Sequence, residues 1–253
     1  GLYKFGYVED LDKITAKELY EYYKNLIQNS KIDIFVSGNI TEETKKLVEE
    51  NENIKKLQER EPKYNIQKLE KKQIQDKENV VTESKEVSQG KLVLGLDVLL
   101  EDEELRYAAL IYNSILGGSA NSKMFQNVRE KAHLAYVASS SYLRHKNNIF
   151  INCGIEIANY EKALELIKKQ IEDMKNGEFT EEDIENSKKG IIATIKAIDD
   201  EQDTEIMYCF GQELTNAKVS LEEYIKKIEE VQKQDLINIA NNVKINTIYF
   251  LKD

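Results

Sequence analysis

The sequence predicts an α+β fold, a two-layer sandwich with helices packed on one face of a mostly antiparallel sheet. Three observations carry this. Segments that alternate in polarity and favour β-branched or aromatic residues fall in two groups, at 80–86 and 91–98 and at 136–143 and 149–157, and 247–251 adds a closing strand. Amphipathic helical stretches are segregated from these strands rather than interleaved one by one. Helix starts and stops are marked, by Thr15 with Glu18, by Thr180 with Asp183, and by Gly177.

Taken in order, residues 8–28 read as an entry loop and a helix, with Leu19, Tyr22, Tyr23 and Leu26 recurring at helical spacing. Residues 31–37, KIDIFVS, read as a strand that ends at Gly38-Asn39, and 41–54 as one further helix. Residues 57–75 turn to Lys, Glu and Gln around Pro62, the single proline, and read as a solvated linker. Two strands follow, joined across Ser88-Gln89-Gly90, and then a helix over 101–116 with Leu105, Ala108, Ala109, Tyr112 and Ile115 inward. Strands 136–143 and 149–157 form a hairpin around His145-Lys-Asn-Asn, helix 159–176 stops at Gly177, and helices fill the chain to Val243. The stretch starting at Ile228, IEEVQKQDLI, parallels LDKITAKELY from Leu11, and each precedes a helix and a strand, which suggests duplicated units.

Composition narrows the function. With 253 residues, 41% of them hydrophobic and 32% charged, the chain suits one large domain or one domain and part of another. No apolar run is long enough to span a bilayer, and a net charge of −10 argues against unspecific nucleic-acid binding. The chain starts with Gly1 and shows no signal peptide, so a fragment or processed product of a cytoplasmic protein is expected. Cys153 and Cys209 lack any C-x-x-C spacing and read as buried apolar residues. His133 and His145, the two histidines, belong to neither H-x-x-E-H nor H-E-x-x-H, so no zinc site is expected within the chain. No G-x-S-x-G elbow, P-loop or G-x-G-x-x-G occurs.

The most informative stretch is 117–142, GGSANSKMFQNVREKAHLAYVASSSY. Gly117, Gly118, Ser122, Phe125, Arg129, Glu130, Lys131, Leu134, Ala135 and Tyr136 match a GG…S-x-x-F…R-E-K-x-x-L-A-Y signature. The segment resembles the second, non-zinc-binding domain of the insulinase/pitrilysin metallopeptidases, the inverzincins, and is similar to mitochondrial processing peptidase subunits and to paired bacterial homologues. One departure is His133, where the family has a small residue.

The resemblance implies that 1–56 is the tail of a first family domain, 57–78 a linker and 79–253 the second domain. It further implies that Tyr136 donates to the scissile carbonyl as it becomes tetrahedral and that Arg129 holds a nearby backbone carbonyl. Alone, Arg129 beside Glu130 reads as a surface ion pair and Tyr136 as a core strand aromatic. Gly117, Gly118, Ser119 and Ser122 are expected to cap the following helix with some substrate contact, and His133 to lie beside the pair. Zinc is then expected in the missing N-terminal domain or in a homologous partner chain, with unfolded peptide as substrate. A wholly non-catalytic structural or partner subunit is the alternative.

Overall fold

A computed structural model of the chain describes residues 5–64, 77–100, 102, 104–215 and 217–253. In chain order the helices are α1 (Val8–Leu11), α2 (Ala16–Asn29), α3 (Glu42–Glu50), α4 (Glu52–Gln58), α5 (Leu105–Asn113), α6 (Tyr160–Lys175), α7 (Glu181–Lys196), α8 (Gln202–Thr215), α9 (Leu221–Glu230) and α10 (Lys233–Asn241). The strands are β1 (Asn79–Ser84), β2 (Gly90–Val98), β3 (Ala135–Leu143), β4 (Asn148–Ile155) and β5 (Val243–Lys252). Two π-helical segments, Ser114–Gly118 and Met124–Lys131, lie between α5 and β3. The chain divides into two compact units, Gly1–Lys68 with Asp199–Ala217, and Leu69–Ile198 with Lys218–Asp253.

The second unit is the α+β sandwich. Its sheet has the order β1-β5-β2-β4-β3, with β1 parallel to β5 and the other three pairings antiparallel. Alternation decides which face is covered. Leu92, Leu94 and Leu96 of β2, Ile149 and Ile151 of β4 and Ile248 of β5 are buried. They form one core with Ile111 and Tyr112 of α5, Ile167 of α6, Ile228 of α9 and Leu236 of α10. On the other face Phe150 and Asn152 of β4 are exposed. The sheet's open-face end is tied by Asp97, whose buried carboxylate accepts from Asn148 at 2.7 Å and Asn246 at 2.8 Å. A buried charge is tolerable when hydrogen-bonded in this way.

Local signals formed as read. Thr15 Oγ1 accepts from the Glu18 N–H while Glu18 accepts from the Thr15 N–H, and Thr180 with Asp183 repeats the arrangement. Gly177 has φ +70, the left-handed conformation that ends α6 at no steric cost. The internal recurrence also holds at its helix starts: Asp235 Oδ2 accepts from the Gln232 N–H at 2.8 Å, as Glu18 Oε2 accepts from the Thr15 N–H at 3.1 Å.

Three expectations need correction. Segments 80–86 and 91–98 are not paired with each other, because β5 returns from the end of the chain and lies between them. The expected helix over 41–54 is two helices, since Asn51 is extended and its side chain caps α4 by accepting from the Asn53 and Ile54 N–H groups. Residues 31–37 form no ladder among the described residues; the bridge nearby joins Ser30 to Tyr64. Alternation expresses a preference for a pleated surface, and a strand needs a partner backbone to realise it. Of the expected linker, residues 65–76 lie outside the described residues.

The first unit is held by side chains spread along the sequence. Phe35 meets Phe210 of α8 edge-on at 6.0 Å, Lys31 pairs with Glu213 at 3.2 Å, and Ser37 donates to Glu205. Among its described residues Gly211 alone is buried.

Candidate functional site

The route to the site starts where α5 opens into the first π segment. Gly117 is buried so close to β3 that a Cβ on it would lie 2.6 Å from the Ser140 backbone nitrogen. Ser140 in turn donates to Asn113 Oδ1 at 2.8 Å. A Cβ on Gly118 would lie 2.8 Å from Asn113 Nδ2, and the Ser119 hydroxyl donates to the Ser114 carbonyl at 3.2 Å. Ser122 is buried, and its Oγ accepts from the Phe125 N–H at 3.4 Å. These four residues thus close the connection between the two π segments.

The second π segment turns Met124 and Val128 into the core and leaves Arg129, Glu130 and Lys131 outside. Its wider turn is visible in the Ala132 N–H, which donates to the Asn127 carbonyl at 3.2 Å, five residues back. The Arg129 guanidinium lies 4.6 Å from the Phe125 ring centroid and its Nε 3.5 Å from Glu130. His133 then takes φ +53, a left-handed conformation that costs a side-chain-bearing residue about 1–2 kcal/mol. The Leu134 N–H donates to the Val128 carbonyl at 3.1 Å and fixes this reversal.

β3 begins with a bulge. Ala135 opposes Ile155 and Val137 opposes Gly154, so Tyr136 is the extra residue. A bulge bends its strand and re-aims a side chain. Here Tyr136 and Val137 are both exposed, Tyr136 at 63%, and the core reading of Tyr136 fails for that reason.

Arg129, His133 and Tyr136 come together as lining of one groove of about 260 Å³, with Glu130, Leu134, Ala135 and Glu156. Gly117, Gly118, Ser119 and Ser122 do not line it. Glu156 was invisible to motif reading: it lies twenty positions beyond Tyr136 and arrives only because Ile155 pairs with Ala135. The groove offers a planar cation with several donors, a neutral phenolic donor and two carboxylates. Carbonyl oxygens and extended backbone are what such a set can hold. Among the described residues no three His, Cys, Asp or Glu are placed to hold a metal ion. The described residues of the groove therefore do not fit a zinc site.

A family model described as "Peptidase M16 inactive domain" matches residues 13–191. This chain belongs to the M16 peptidase family. It is 32% identical over 258 residues to the probable inactive metalloprotease YmfF of Bacillus subtilis, covering 100% of this chain and 58% of that one. It is 29% identical over 186 residues to the uncharacterized zinc protease YmxG of the same organism, covering 73% and 44%. Among solved structures, a conserved protein from Enterococcus faecalis V583 matches with TM-score 0.86 and 28% identity, over 99% of this chain and 59% of that one. The M16 inactive domain from Pseudomonas fluorescens matches with TM-score 0.71 at 16% identity, over 85% and 52%, a likeness of fold. The chain therefore spans between 44% and 59% of the length of these relatives. Among the described residues no helix is long and apolar enough to cross a membrane.

Proposed function

We propose that this chain is the substrate-holding, active-site-completing half of an M16-type metallopeptidase and does not itself hydrolyse peptides. The observation that carries the reading is the groove, which Arg129 and Tyr136 both line where the π segment, the left-handed His133 and the bulge meet. Arg129 holds a backbone carbonyl of an extended peptide, and the Tyr136 hydroxyl donates to the carbonyl oxygen that gains charge during cleavage. Zinc belongs outside this chain, in the remaining part of a relative-length protein or in a homologous zinc-bearing partner, and the expected setting is the cytoplasm.

The test is turnover of an unstructured peptide by the complete, zinc-bearing assembly. Loss of one oxyanion-type donor costs about 2.7–4 kcal/mol of barrier, so Tyr136→Phe should lower kcat about 100- to 1000-fold. Arg129→Ala should lower kcat/KM with it, and circular dichroism should be unchanged in both. Wild-type rates in both variants would rule the role out. A second reading, a wholly non-catalytic partner subunit, is favoured by the match, along all of this chain and 58% of the relative, to a protein described as probably inactive. Zinc content of the full-length protein and its natural complex separates the two, since an assembly without zinc supports only the second.

A further inference from the structure

The inward face of α6 is mostly apolar, with Ala163, Ile167, Ile171 and Met174 buried. Gln170 and Asp173, three residues apart and so neighbours on the helix, are polar yet buried, at 2% and 7% exposure. A buried amide or carboxylate is tolerated only with partners, and both have one at the second π segment. Gln170 Oε1 accepts from Asn127 Nδ2 at 2.6 Å, while its own Nε2 donates to the Leu166 carbonyl at 3.3 Å. Asp173 accepts from Lys169 at 2.8 Å and lies 3.8 Å from Lys123 Nζ. Lys123, immediately before the π segment, also donates to the Glu178 carbonyl at 2.8 Å.

Asn127 joins this fastening to the unusual backbone. Its carbonyl accepts the Ala132 N–H, the bond that makes the turn π rather than α, and its Oδ1 accepts from Lys131 Nζ at 3.1 Å. One residue therefore carries the wide turn on its main chain and the tie to α6 on its side chain. Arg129 lies inside that turn, two residues after Asn127, exposed and lining the groove. The Phe125 ring, 4.6 Å from the guanidinium, and Glu130, 3.5 Å from Nε, orient Arg129 only relative to the segment that bears all three. Gln170 belongs to α6, whose Ile167 and Met174 pack into the core of the sheet, and so supplies a fixed reference.

We propose that Asn127 and Gln170 are positioning residues for the groove, which hold the π turn in register so that Arg129 meets the peptide backbone. The proposal rests on the groove being a peptide site. Neither residue touches the peptide, and both act through Arg129. A π turn and an α turn set the residues within them at different angles about the helix axis, so the register decides where the guanidinium stands. An apolar residue at 170 would fill the same space without a partner. The amide adds what packing alone lacks, a single partner at a single height along α6.

The experiment is fluorescence anisotropy of an unstructured labelled peptide with the complete protein, using Gln170→Met and Asn127→Ala. Gln170→Met keeps the length and packing of the side chain and removes the acceptor, so the urea midpoint should not fall. Asn127→Ala removes the donor from the half-buried end of the pair and suits a helical backbone. Each should weaken peptide binding about five- to twentyfold, within the loss that a misplaced positioning group gives. The double variant should be no weaker than the worse single one, as befits one interacting pair. In an Arg129→Ala background Gln170→Met should cost less than about twofold more, whereas a merely structural loss would add in full. Hydrogen exchange at the Ala132 amide should rise at least about tenfold in either variant, with the β4 amides unchanged. Wild-type binding by both variants, full additivity with Arg129→Ala, or unchanged exchange at Ala132 would each overturn the proposal. If Arg129→Ala weakens binding while Gln170→Met and Asn127→Ala do not, the groove reading stands and the positioning role falls. If Arg129→Ala itself binds as wild type, or the wild-type protein binds no peptide, both fall together.

Discussion

Individual side chains here behave according to how much water they keep. Tyr136 and Val137 break the alternation of β3 because one residue too many enters the ladder, and that surplus residue is the phenol of the groove. Cys153 sits on β4 in the core, and burial pushes its thiol up to about 12, whereas Cys209 is exposed. The thiolate is the reactive form, so a thiol reagent at pH 8 should modify Cys209 and spare Cys153 until the protein unfolds. Equal rates for both thiols in the native protein would contradict the burial argument. The linkage follows in sign. A thiol whose folded pKa is raised contributes fully below its ordinary value and loses that contribution as pH climbs from about 9 towards about 12. The reading of both cysteines as buried holds for Cys153 and fails for Cys209, since an exposed face of α8 carries it.

Elements show which information is local. Gly117→Ala should destabilise by about 1–3 kcal/mol, because its methyl would meet the backbone nitrogen of Ser140, which cannot give way without moving β3. Gly118→Ala should cost less, since the nearest atom is the end of the Asn113 side chain, which can turn aside. Urea denaturation of the two variants checks the order, and an equal cost would mean that the π segment slides as a body. The caps at Thr15 and Thr180 and the stop at Gly177 were legible because each is settled within four residues. The place of β5 between β1 and β2 was not, because no local pattern says which strands from opposite ends of the chain will pair. The signature around Arg129 and Tyr136 was legible as a motif. The π geometry and the bulge that bring its members together were not, because both are registers of hydrogen bonding rather than of polarity.

At the scale of the whole molecule the two units differ in what protects them. The sandwich buries Leu92, Leu94, Leu96, Ile149, Ile151 and their helical partners completely or nearly so. In the first unit no hydrophobic side chain among the described residues is buried, and Tyr20, Tyr22, Tyr23, Ile34, Val36 and Met207 are all more than half exposed. Apolar burial is the main term opposing local opening, so the two units should open at different free energies. Limited proteolysis of this 253-residue chain should cut first within 5–64 and 199–215 and leave 79–198 and 218–253 as resistant pieces. Hydrogen exchange should rank them the same way, with α2 and α8 exchanging long before β2 and β4. The chain spans 58% and 59% of the length of two relatives, and exposed apolar side chains in this number suit a covering surface. Adding the full-length protein's remaining part should therefore slow cleavage in 5–64 and 199–215 at least tenfold, leaving the sandwich as it was. If protection of the first unit is already equal to that of the sandwich in the 253-residue chain, its exposed apolar residues are covered within the chain and no further stretch is called for.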